Sequence, residues 1–297
     1  MKRMILFLPV LSGIMFGASG VFVRNLSAYG INNLTILFLR VLFAMLAMFI
    51  GILIYNRKLF KIQIHDIPLF IGTGLLGMLG LNLCYNEAIN RLTLSLAAVL
   101  LSTAPIFVMF LAAVIFKERV TFKKIVCMLL AIAGCILASG LLEQKSELGI
   151  SAMGILAGIA AALFYALYSI FSRKATDKNY HTYTVIFYSV LLITLILLPF
   201  ADYENIGRFI SDNPAPHMLF LIAHSLCTSV LPYVFLTLAL LYAEAGKVSI
   251  LASGGEPIAA VAFGIIFYAE IPTLLMLTGL LITIAALAFL CTTDVDR

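Results

Sequence analysis

The chain has 297 residues, 63% of them hydrophobic and only 11% charged, with a mean hydropathy of +1.12, and no soluble domain can hide that much apolar surface. Its formal charge of +5 would suit a nucleic-acid partner in a soluble protein, but the basic residues sit in short connections between apolar stretches, where they act as topology signals, so no nucleic acid is expected. Cys84, Cys127, Cys135, Cys227 and Cys291 all fall within apolar segments, with no CxxC pair and no cluster with His, so neither a disulfide framework nor a metal or other cofactor is expected.

In chain order, Lys2 and Arg3 open an apolar run that reaches Arg24 without a small-residue cleavage site, so it is read as a retained span and not as a signal peptide. Punctuation by charge, Pro, Gly and Asn then sets spans at 4–23, 33–55, 67–89, 93–116, 122–141, 151–172, 182–200, 217–241, 247–268 and 272–292. Each run is long enough, at about 1.5 Å per residue, to cross a hydrocarbon core of about 30 Å. Strand-type alternation is absent, so the expected fold is an all-α integral membrane protein with ten transmembrane helices. The widest connection, 201–216, carries Asp202, Glu204, Arg208 and Asp212 and reads as a polar loop in water.

The two halves of the chain match in register. FGASGVFVR (16–24) lies over YALYSIFSR (165–173), and ILFLRVL (36–42) over VIFYSVL (185–191). APIFVMFLAAVIFKE (104–118) lies over EPIAAVAFGIIFYAE (256–270), with the proline and the terminal glutamate coinciding. These matches predict two five-helix repeats, 1–145 and 146–297. An odd number of helices inverts the second repeat. The charges agree: with the N-terminus inside, 14 basic residues lie on the cytoplasmic side and only Arg24, Arg91, Lys145 and Arg208 outside. The expectation is a multi-pass protein of the cell membrane, held in the lipid bilayer, with both termini cytoplasmic.

Several polar residues sit inside these oily segments. Arg40, about 10 Å into the second span, could hold a substrate carboxylate, snorkel, or pair with Glu87, and the ion pair is the favoured reading. Asn82, Tyr85 and Asn86 share one face of the third span at i, i+3 and i+4. Tyr165 and Tyr168 share a face of the sixth; His224, Ser225 and Thr228 form a stripe in the eighth, followed by Pro232 and Tyr233. Each group alone fits interhelical glue, but together they are better explained by a shared polar cavity. Glu256 lies roughly 13 Å from the cytoplasmic end of the ninth span. Pro257 cannot donate to the Ser253 carbonyl, and Gly254 and Gly255 ease distortion, so Glu256 reads either as a substrate- or proton-handling carboxylate beside a freed carbonyl or as the cap of a helix break. Gly13 and Gly17, Gly72 to Gly80, and Gly154 and Gly158 are spaced for close helix approach. Glu118 and Glu270, at corresponding helix ends, read as interfacial caps or loop-pairing groups.

LSTAPIFVMFLAAVIFKERVT (101–121), its counterpart SGGEPIAAVAFGIIFYAEIPT (253–273) and FLRVLFAML (38–46) resemble the EamA-type branch of the drug/metabolite transporter superfamily, across almost the whole chain. The resemblance implies a ten-helix carrier that binds a small-molecule substrate and exports a metabolite such as an amino acid, without a cofactor. Relatives in the superfamily carry nucleotide sugars and sugar phosphates. The chain contains no Trp, so a cavity that relatives line with Trp would be lined here by Tyr, Phe and Met. Exchange, import, and coupling to protons or a counter-solute stay open. The competing classes are an intramembrane enzyme, for which His224 and Ser225 point about 100° apart and make a poor dyad, and a membrane assembly protein.

Overall fold

The structure, a computed structural model, describes residues 6–92, 94–139, 141–142, 151–268 and 272–291. The described residues form helices and connections, without strands. In chain order the helices are α1 (Phe7–Ala28), broken at Ala18; α2 (Asn33–Tyr55); α3 (Ile64–Arg91); α4 (Leu96–Phe116), broken at Ser102 and Thr103; α5 (Phe122–Ala138); α6 (Ala152–Asp177); α7 (Thr182–Phe200); α8 (Tyr203–Asp212); α9 (Pro214–Tyr242); α10 (Ala245–Tyr268); and α11 (Leu274–Cys291). Seven of them, α1 to α4, α6, α7 and α9, are long and apolar enough to cross a membrane; Leu274–Leu290 is a shorter apolar helix.

Helix starts follow local chemistry. Asn32 accepts from the Thr35 N–H at 2.9 Å, Ser151 from that of Gly154 at 3.2 Å, and Asp202 from that of Asn205 at 3.1 Å, each filling one donor that a helix start leaves open. The Asp202 cap starts a helix that the sequence reading did not anticipate. Residues 203–212 form α8, an amphipathic helix of 10 residues that buries Phe209 and stacks it on His217 at 4.0 Å between ring centroids. Alternating polar residues hid the apolar spacing of Ile206, Phe209 and Ile210.

Packing is matched between the halves. α1 lies against α10 and α9, as α6 lies against α4 and α3; α2 pairs with α7, and α5 with α11. Helices α3 and α9 each contain a π-helical stretch, Gly72–Leu79 and Leu226–Val230. Large apolar side chains such as Ile54, Phe110, Leu156 and Ile266 stay exposed around the bundle, as lipid contact requires.

Glycines bring the backbones together, as their spacing predicts. A methyl group on Gly13 of α1 would land on the Ala252 carbonyl oxygen of α10, and one on Gly255 would meet the Val10 carbonyl oxygen coming back. Gly134 of α5 and Gly279 of α11 interlock in the same way. Gly13→Val is therefore expected to lower the unfolding temperature measured in detergent, with an overpacking cost of about 1–3 kcal/mol or more. Gly207→Ala, with open space around it on α8, should be neutral or slightly stabilising.

Candidate functional site

Half-way along α10 the helix runs unbroken through the SGGEP stretch. This corrects the expectation of a helix break capped by Glu256. Because Pro257 carries no N–H, the Ser253 carbonyl lacks its intrahelical donor; the Cys135 thiol of α5 meets it at 4.0 Å. The carbonyl is thus already engaged and is not a spare contact for a substrate. The Glu256 carboxylate itself has no hydrogen-bond or ion-pair partner among the described residues.

Around it stand aromatic hydroxyls from three other helices. Tyr85 of α3, Tyr165 of α6 and Tyr233 of α9 all lie within electrostatic range of Glu256, as does Cys135. The Tyr165 hydroxyl is buried and has no hydrogen-bond partner. Tyr233 is held edge-on by Phe16 of α1 and by Tyr168, both at 4.9 Å between centroids, so its hydroxyl end is aimed by a rigid aromatic stack. Tyr168 spends its own hydroxyl on Thr237 at 2.7 Å and supports the site from behind.

Arg40 of α2 reaches the same cluster from the other side. Its Nη2 donates to Asn82 Oδ1 at 2.6 Å, and the Asn82 amide donates to the Met78 carbonyl at 2.6 Å, which fixes the acceptor. The Arg40 Nε is buried without a partner. Tyr233 and His224 both lie within range of its charge. The expected pairing with Glu87 is not found: Glu87 binds Arg91 one turn further along α3, because an i,i+4 partner on its own helix is nearer than a side chain on α2. His224 is fully buried and stacked on Phe22 at 5.1 Å, with both ring nitrogens unpartnered. Ser225, beside it in sequence, is turned away and donates to the Arg40 carbonyl at 2.7 Å, tying α9 to α2.

Of the nine residues singled out in the sequence, the structure brings eight into one continuous set from α2, α3, α6, α9 and α10. Asn86 is the exception: it is half-buried and makes no hydrogen bond among the described residues. Phe16 and Cys135 belong to the set and carried no sequence signal, since an aromatic and a thiol in an apolar helix look like core.

A second group of charges closes one end of the bundle. Lys124 pairs with Glu244, Lys178 with Asp66, and Arg173 with Glu118 at 2.6 Å. Each pair joins the first half of the chain to the second. Lys117 adopts a left-handed φ of 56° at the end of α4, a turn that carries Glu118 onto the start of α10, where it also accepts the N–H groups of Ala245 at 2.9 Å and Gly246 at 3.4 Å. Arg173 is 1% exposed and also donates to the Ala243 carbonyl at 3.3 Å. Glu118 is therefore the cap and pairing group expected of it, while Glu270 lies outside the described residues. The opposite end is joined differently: Thr35 Oγ1 accepts the Asp202 N–H at 3.0 Å, and Tyr29 meets His217 at 3.4 Å.

The sequence model described as the EamA-like transporter family matches residues 3–140 and again 152–292. An uncharacterized transporter of Archaeoglobus fulgidus is 29% identical over 275 residues, 91% of this chain and 90% of its own length. The pseudopaline exporter CntI of Pseudomonas aeruginosa is 27% identical over 225 residues, 75% of each chain. A protein crystal structure superimposes with a TM-score of 0.76 over 97% of this chain and 96% of its own, at 14% identity, a likeness of fold. At the ion-paired end, Arg173→Leu leaves a buried Glu118 with no cation and is expected to cost about 3 kcal/mol or more, read as lost thermal stability; adding Glu118→Gln should recover much of it.

Proposed function

Given that the chain belongs to the EamA-like transporter family, we propose that it is a secondary carrier that exports a small metabolite such as an amino acid by alternating access. The protein is a multi-pass membrane transporter and not an enzyme, as its relatives are transporters. The observation that carries the proposal is a carboxylate with no hydrogen-bond or ion-pair partner among the described residues, Glu256, within electrostatic range of Tyr85, Tyr165 and Tyr233, of which Tyr233 also lies within range of the partly unsatisfied Arg40 guanidinium. A charge at such depth is costly, and a carrier site, which must bind and release a polar solute, is a reason to retain it.

In this reading Glu256, Arg40, Tyr85, Tyr165 and Tyr233 contact the substrate. Asn82 and Tyr168 hold Arg40 and Tyr233 in place, and His224 and Asn86 line the approach. Ten spans form two inverted five-helix repeats, 1–145 and 146–297, with both termini cytoplasmic. The double family match, the equivalent packing of the halves and the paired π-helical stretches support the duplication, and the excess of basic residues at the ion-paired end supports its orientation. That end is then the cytoplasmic gate, closed here by three ion pairs between repeats, and it opens by exchanging those pairs for water. Export is supported by the name of the Pseudomonas aeruginosa relative.

A metabolite-release comparison of cells expressing the wild type with cells expressing Glu256→Gln tests this. At least one small amino compound should accumulate outside the wild-type cells, with its release rate about tenfold or more lower for the variant at equal membrane abundance. Equal release of every solute by both would remove the assignment of Glu256.

A further inference from the structure

At the ion-paired end the segment between α2 and α3 folds back onto the start of α7. The Thr184 hydroxyl donates to the Leu59 carbonyl at 2.8 Å and the Tyr188 hydroxyl to the Phe60 carbonyl at 2.7 Å, while the Gln63 N–H donates to the Tyr180 hydroxyl at 3.1 Å. Beside these bonds lies a cavity of about 330 Å³, lined by Lys58, Lys61 and Asp66 from the first half of the chain and by Lys178 and His181 from the second. Its one acid is fully spent: Lys178 pairs with Asp66 Oδ1 and the Tyr180 hydroxyl donates to Oδ2 at 2.7 Å. Lys58 and Lys61 are exposed and have no acid partner among the described residues. His181 accepts the Tyr183 N–H on Nδ1 at 3.3 Å, which leaves its ring proton on Nε2 as a donor. The cavity thus holds positive charge and N–H donors in excess.

The same segment borders the lipid-facing surface. Tyr55, the last residue of α2, places its ring 6.0 Å from that of His181, and Ile64, between the lining residues Gln63 and Asp66, is 85% exposed. Ile54 beside Tyr55 is exposed as well. Apolar side chains of this size are unfavourable at a mouth that opens only to water, whereas at the headgroup level of a bilayer they meet glycerol and acyl chains, and tyrosine is common there. A soluble anion would use the lysines alone; a phospholipid uses both features. We infer that the cavity binds the phosphate group of an anionic phospholipid, held by Lys58, Lys61 and His181 Nε2, with the glycerol and acyl chains passing over Tyr55 and Ile64. Phosphate suits these donors because it offers several acceptor oxygens to separate point charges, where a planar group would not be matched. Bound there, it joins the α2–α3 connection of one half to the α6–α7 connection of the other beside the Lys178–Asp66 pair, and so braces the closed end. The orientation read above makes this the cytoplasmic leaflet, whose surface is anionic.

The test uses the purified full-length chain in neutral detergent, with phosphatidylglycerol, phosphatidic acid or phosphatidylcholine added singly. Native mass spectrometry reads the lipid retained on the chain, and the unfolding temperature is measured alongside. The anionic lipids should be retained more tightly than phosphatidylcholine and should raise the unfolding temperature, because a ligand of the folded state stabilises it. Lys58→Gln with Lys61→Gln should weaken their retention about tenfold or more and remove most of that rise. Lys58→Arg with Lys61→Arg, which keeps the charge, should stay within about threefold of the wild type. Lys117→Gln with Arg119→Gln takes the same charge from exposed positions at the same end of the bundle and should also stay within about threefold, which separates the cavity from the general surface charge.

Retention by the Lys58→Gln, Lys61→Gln variant at the wild-type level would overturn the inference, as would phosphatidylcholine held as tightly as the anionic lipids. Inorganic phosphate and glycerol 3-phosphate, titrated in the same assay, distinguish the two sources of the phosphate group. Either one matching the anionic lipids in affinity would make this a site for a soluble anion and overturn the lipid assignment. None of these results bears on the carrier reading, which stands or falls on solute release.

Discussion

Helices in hydrocarbon gain little by hiding apolar side chains from lipid, so what holds them together is the closeness with which their surfaces fit. Everything else in this bundle depends on that constraint. Where Gly13 faces Ala252 and Gly255 faces Val10, two backbones pass with no side chain between them, and α10 is drawn against α1 at the level of the candidate site. Gly74 against the Ser189 backbone and Gly77 against Tyr168 do the same for α3 with α7 and α6. The helices that carry Tyr165, Tyr168 and Glu256 are thereby fixed by backbone geometry and not by the polar groups they present. That leaves the polar groups free to remain unsatisfied.

Charge is used in two different ways. At the end of the bundle Lys124, Arg173 and Lys178 each find an anion across the halves, and Glu118 does further work by capping the start of α10. The Arg173–Glu118 pair is itself buried, at 1% and 8% exposure, so the partner that each charge has there is what makes its burial tolerable. In the interior no such pairing is made among the described residues. Arg40 and Glu256 are held by aromatic and amide neighbours that supply shape and a few hydrogen bonds but no neutralising charge.

Much of the fold was legible in the sequence because membrane depth imposes a length and an all-apolar composition on each helix. Seven of the expected segments are helices long and apolar enough to cross a membrane, the described residues of the others are mostly helical, and the glycine pairs sit where their spacing put them. The candidate site was legible as a set of residue types but not as a set of bonds. Which partner Arg40 takes depends on rotation about α2 and α3, and a helical sequence does not specify rotation against a neighbour. Glu87 turned to Arg91 because a local partner needs no such alignment. The group that meets the Ser253 carbonyl beside Pro257 is a thiol from α5, far away in the chain. The pairs Arg173–Glu118 and Lys124–Glu244 were hidden for the same reason, since each joins residues that only tertiary packing brings together.

The duplication sharpens the meaning of the two interior charges. Ser189, which aligns with Arg40, spends its hydroxyl on Thr73 at 2.7 Å and on the Val185 carbonyl, and it is fully buried as part of the packing. Ala104, which aligns with Glu256, is 1% exposed and apolar. At both positions one half keeps a small residue suited to helix contact, while the other half carries a charge with hydrogen-bonding capacity left over. A frame whose halves pack alike needs neither charge for its own sake, because the equivalent positions pack without one. The departure from that likeness falls on one cation and one anion that share Tyr233 as a neighbour, so the asymmetry belongs to what the site holds and not to how the helices are held.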